Sequence, residues 1–123
     1  MSDIAQLLKQ MREQREFMVE LQAAKDGRPA KRVWLLRPLE AAELHVVATG
    51  VSVESLVRFT ARWDGFAEDD LIPGGASDKV EYHPDLWREL VGDRRDWAKQ
   101  CADELVEQIS KRAEQRKADS GNS

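Results

Sequence analysis

The run from Asp3 to Lys25 contains neither glycine nor proline, and Ile4, Leu7, Leu8, Met11, Met18 and Leu21 recur along it at helical steps. That spacing predicts one amphipathic helix over residues 1–27, with an apolar stripe down one side. Ser2 or Asp3 is placed to cap its first N–H groups, and Gly27 with Pro29 supplies a stop. In heptads the seam is Ile4, Leu7, Met11, Gln14, Met18 and Leu21, interrupted by its polar glutamine. Such a stripe serves either the protein's own core or a partner helix, and the pattern alone does not separate the two. Because Gly27 and Pro29 follow it, the segment is expected to act as an arm for self-association.

Beyond the arm, residues 28–117 are expected to form one helical domain and residues 118–123 a disordered tail. Lys31 to Arg37 is a short apolar segment closed by Pro38, and Val80 and Tyr82 alternate with Lys79 and Glu81. A small two-stranded element pairing residues 32–36 with 79–82 is therefore predicted. Helices are predicted from Leu39 to Ala48, from about Ser52 up to Trp63, and from Pro84 to a stop at Gly92. A last helix, capped by Asp93, carries Trp97, Cys101, Ala102, Leu105, Val106, Ile109 and Ala113 on one side. The fold class read from these segments is mainly α, a compact bundle of four to five helices.

The net charge of −4 divides unevenly. Residues 1–37 hold eight Lys/Arg against five Asp/Glu, residues 38–91 four against eleven, and residues 92–123 seven of each. The acidic balance argues against binding nucleic acid or an anionic membrane surface, and the acidic middle makes a DNA-binding adaptor built on residues 41–62 a poor fit. The basic first part is instead suited to meet the acidic middle of its own or a neighbouring copy. No signal peptide or membrane span is expected, and a lone cysteine fits a reducing compartment.

Catalytic and metal chemistry find little material. Cys101 lies mid-stripe, where burial silences a thiol. His45 lies inside a short helix, His83 precedes Pro84 as a helix start, and neither has a second ligand at metal spacing. The acids from Asp64 to Asp70 miss the spacing of a calcium loop, and Gly74-Gly75-Ala76-Ser77 lacks the lysine of a phosphate loop. No catalytic residue, metal or cofactor is assigned. Four tryptophans, at 34, 63, 87 and 97, stand at or near the ends of elements, where they dock the elements together or anchor an interface.

Several pieces nevertheless form a pattern: Arg62-Trp63-Asp64-Gly65-Phe66, Asp70-Leu71, the stretch from Gly75 to Tyr82, Pro84-Asp85-Leu86-Trp87 and Asp93-Arg94, preceded by Leu36-Arg37-Pro38-Leu39. Over residues 31–97 this resembles the tail assembly chaperones of long, flexible-tailed bacteriophages, with Trp63, Asp64, Gly65, Phe66, Leu86 and Trp87 as the motif residues. His83 departs from the Ser or Thr expected before the proline, which weakens the helix cap. The resemblance implies a non-enzymatic factor of the host bacterial cytoplasm, absent from the finished virion. Such a factor binds the tape measure protein and helps recruit tail tube protein, in some cases through a longer frameshifted form. Ile4, Leu7, Met11, Met18 and Leu21 are the residues expected to hold a client or a second copy in a ring or spiral. A phage-encoded regulator or inhibitor of a host protein, binding through the acidic middle segment, is the alternative.

Overall fold

A computed structural model describes residues 3–121, and Ser2, one of the two expected caps, lies outside them. Asp3 alone supplies the cap, its carboxylate accepting from the Ala5 N–H. The helix it starts, α1 (Ile4–Glu13), stops after ten residues, and the chain then turns through Gln14 into a strand, β1 (Glu16–Gln22). The single helix expected over residues 1–27 is thus two elements. Phe17, Val19 and Leu21 alternate with Met18 and Glu20 at the two-residue period of a strand, and the aromatic and β-branched members favour it further.

Asp26 and Gly27 do not end a helix. Both have positive φ, and Lys25 and Arg28 exchange backbone hydrogen bonds across them, which makes a two-residue hairpin turn of the hand that suits twisted strands. The hairpin returns as β2 (Lys31–Leu36), central in a three-stranded antiparallel sheet of order β1-β2-β3. Two helices, α2 (Glu40–Thr49) and α3 (Val53–Arg58), then lead to the third strand, β3 (Thr60–Asp64). The expected extension of α3 to Trp63 fails at Phe59, and the Thr60 hydroxyl donates back to the Leu56 carbonyl as the chain turns into the sheet.

The fold is therefore α+β, with six helices and three strands among the described residues, and not a mainly α bundle with a two-stranded element. The expected partner of β2, residues 79–82, does not join it. That segment runs beside the loop after β3, where Val80 N–H donates to the Phe66 carbonyl and Ala67 and Lys79 form an isolated bridge.

A short helix, α4 (Glu68–Leu71), precedes α5 (Pro84–Gly92) and the long α6 (Arg95–Gly121). His83 does cap α5, its Nδ1 accepting from the Asp85 N–H at 3.1 Å, so the departure from Ser or Thr does not remove the cap. Asp93 closes α5 instead of opening α6. Residues 118–121 continue α6, where disorder was expected; residues 122–123 lie outside the described part. No Gly or Pro interrupts α6 before its last residue, and Arg116 ties its far end to Glu40 and Glu43 of α2.

One face of the sheet is the floor of the core. Val19, Val33, Leu35 and Trp63 meet Leu56 and Val57 of α3, Trp87 and Val91 of α5, and Trp97, Cys101 and Leu105 of α6. The last-helix stripe is buried at Trp97, Cys101, Leu105 and Ile109, a four-residue step, while Val106 stays exposed. Of the four tryptophans, 63, 87 and 97 are buried, and Trp34 lies half-buried on the outer face under the Arg62 guanidinium, 4.6 Å from the ring centre.

Candidate functional site

The motif residues of the W-D-G-F corner serve the core. Trp63 and Phe66 stack with ring centres 4.3 Å apart, and Trp87 meets both edge-on. Trp63 donates its indole N–H to the Val80 carbonyl at 2.9 Å, and Trp87 donates to the Thr60 hydroxyl at 3.0 Å, so both buried rings keep their polar atoms satisfied. Gly65, between them, has φ of +86°, and a Cβ there would lie 2.0 Å from the Ala30 carbonyl oxygen. Only glycine permits this close passage of the corner over the hairpin.

Charge clasps the same corner from outside. Arg28 of the hairpin forks onto Asp69, and buried Lys31 reaches Asp70 at 3.1 Å. The Arg28 hydrogen bond holds the Asp69 carboxyl below its ordinary range. Asp64 is exposed and stands 3.9 Å from Lys79. A hollow of about 280 Å³ lined by Gly27, Arg28, Gly65, Asp70 and Lys79 lies here, its charges already committed to one another.

The residues assigned to self-association or client binding separate in space. Ile4, Leu7 and Met11 remain together on α1, joined by Leu8, and this helix buries no side chain at all. Ile4 is 74% and Met11 62% exposed. Met18 instead lies exposed on the outer face of the sheet, opposite Trp34, and Leu21 turns to the inner face and packs against the core. The five residues therefore do not make one seam.

On one side of α1, Leu8, Met11 and Leu39 floor a groove of about 390 Å³ rimmed by Arg12, Arg15 and Arg37. On the other, a wider groove toward β3 carries Lys9, Arg12, Arg15, Arg58 and Arg62 against Glu13 and Glu16. Burial, with the neighbouring Arg112 and Arg15 adding to it, pushes the Arg37 guanidinium below its ordinary value. Leu86, the exposed apolar member of the motif, lines a separate groove of about 260 Å³ with Leu71, Ile72 and Leu90, rimmed by Glu89 and Asp93. None of these three grooves is apparent from the sequence, although the basic first part and the acidic middle of the chain hinted at their charge.

Cys101 is fully buried and its thiol is pushed up to about 12 by that burial, with Glu104 adding to the effect. Among the described residues no three His, Cys, Asp or Glu side chains gather as a metal site, and no helix is long and apolar enough to cross a membrane. Searches against family models, curated proteins and solved structures return no match to this chain.

Proposed function

We propose that the protein is a non-catalytic assembly chaperone of a long, flexible-tailed bacteriophage. It binds the tape measure protein before the tube encloses it and helps recruit tail tube subunits. It works as a homo-oligomer in the host bacterial cytoplasm and stays out of the virion. The observation that carries this reading is α1: a ten-residue helix that displays Ile4, Leu7, Leu8 and Met11 and buries none of them. An exposed apolar face on an element outside the core is what a binder of a partly apolar helical client requires, and the adaptable methionine suits a client of uneven surface. The motif corner enters differently: Trp63 stacks on Phe66 and binds the Val80 carbonyl, so these residues build the scaffold.

The test is co-expression with the tape measure protein encoded in the same phage genome. The client is expected to stay in solution and co-purify with the chain, and Leu7→Asp with Met11→Asp is expected to abolish capture without unfolding the domain. A client that is equally insoluble with or without the protein refutes the proposal. The second reading, an inhibitor of one host protein, is favoured by the acidic-rimmed groove of α4 and α5. Capture of a single host protein from uninfected cells, lost on Ile72→Asp, would select it.

A further inference from the structure

Two of the apolar surfaces among the described residues, the α1 face and the α4–α5 groove, are opposite in charge and belong to different elements. The α1 face is flanked by Lys9, Arg12 and Arg15, and neither Lys9 nor Arg12 has an ion-pair partner among the described residues. The α4–α5 groove is walled by Leu71, Ile72, Leu86 and Leu90, with Ile72 59% exposed; of its rim acids, Glu89 has no ion-pair partner among the described residues and Asp93 interacts with the neighbouring Arg94. An apolar face edged by cations and an apolar groove edged by carboxylates complement each other, and charge of this kind sets orientation and speeds encounter.

From this complementarity we infer that α1 of one copy docks into the α4–α5 groove of a second copy. The contact is heterologous: each copy uses a different surface, so every docking leaves one α1 and one groove unfilled and association continues head to tail. A single short helix in a shallow groove buries less than the about 1,200 Å² of stable complexes, so the contact is weak and depends on concentration. This inference gives surfaces to the self-association in the proposal above; it does not depend on which client is bound.

Two variants test it. Leu8→Asp with Met11→Asp spoils the α1 face and keeps the groove; Ile72→Asp with Leu86→Asp spoils the groove and keeps the face. All four positions are exposed, and circular dichroism checks that each variant folds. In sedimentation velocity the unaltered protein is expected to grow in size with concentration, less so at high salt, while each variant alone stays monomeric. Mixed together, the variants are expected to form a complex of two and stop there, since the pair retains one intact face and one intact groove. Arg12→Glu is expected to weaken assembly, and Glu89→Arg in its partner to restore it. An unaltered protein that stays monomeric throughout, a groove variant that assembles like the parent, or a mixture that does not associate overturns the inference. Client capture measured on the groove variant, whose α1 face is intact, reports separately on client binding: a monomer that still captures the client refutes this contact and the homo-oligomer but leaves the chaperone reading standing.

Discussion

Replacing Gly65 with alanine puts the corner between β3 and α4 to a direct test. The added Cβ would sit 2.0 Å from the Ala30 carbonyl oxygen, far inside van der Waals contact, and the obstacle is backbone of the hairpin that cannot swing aside like a side chain. The left-handed backbone alone costs about 1–2 kcal/mol for a residue with a Cβ. Forcing extra bulk into a packed site adds about 1–3 kcal/mol. Together they predict a loss of about 2–5 kcal/mol, a large part of the stability of a domain this size. Gly74 is the internal control: its φ is +80°, yet nothing lies within 4 Å of its missing Cβ, so Gly74→Ala carries only the backbone cost. Urea unfolding followed by tryptophan fluorescence, with Trp63 at the site, compares the two. If Gly65→Ala proves no less stable than Gly74→Ala, the close passage over Ala30 is not what requires the glycine.

Three further outcomes are expected. Trp97→Ala and Leu105→Ala should each cost about 3–5 kcal/mol in the same unfolding assay, because both side chains fill the space between α6 and the sheet; unchanged midpoints would refute that placement. Asp69 has a depressed carboxyl in the folded state, so its pairing with Arg28 stabilises above the unfolded value of about 4 and fades as pH falls through the folded value. Asp69→Asn should therefore flatten the acid limb of a stability profile, and an unaltered limb would count against the clasp. Cys101, a protonated buried thiol at neutral pH, should react with a thiol reagent only on denaturation, and Cys101→Ser should capture client as well as the parent; rapid labelling of the native protein would contradict the first expectation, and loss of capture by a folded variant the second.

The sequence was most legible where a local signal and the tertiary environment agree. β2, closed by Pro38, and α5, begun at Pro84 and ended by Gly92, lie where their residues place them. It misled between Asp3 and Lys25, because Met11, Met18 and Leu21 happen to extend a helical spacing. The two-residue alternation of Phe17, Val19 and Leu21 and the Asp26-Gly27 pair were the signals that a strand and a hairpin turn follow. The alternation at Val80 and Tyr82 marked side chains turned toward Trp63, but alternation does not identify a pairing partner, and the partner proved to be the loop at Phe66. Among the functional residues, the motif tryptophans were visible as large aromatics, while the tight approach that explains Gly65 depends on Ala30, distant in sequence. Of the expected stripe, Ile4, Leu7 and Met11 lie on α1, exposed, while Met18 and Leu21 fall on β1. A stripe states where apolar side chains lie and not what covers them.

The union of the first strand with the last helix has a consequence for how the chain is made. Gln100 of α6 donates to the Glu20 carbonyl of β1 at 2.9 Å, and Trp97, Cys101 and Leu105 supply the wall that closes over Val19, Val33 and Leu35. On the ribosome the sheet residues emerge well before that wall exists. The growing polypeptide therefore carries an uncovered apolar sheet face until α6 has been synthesised, a state prone to aggregation. Folding from the N-terminus forward cannot finish the domain, and the gap between the emergence of β1 and of Leu105 sets how long a nascent chain stays at risk. Slow codons downstream of those for the sheet would lengthen that exposure.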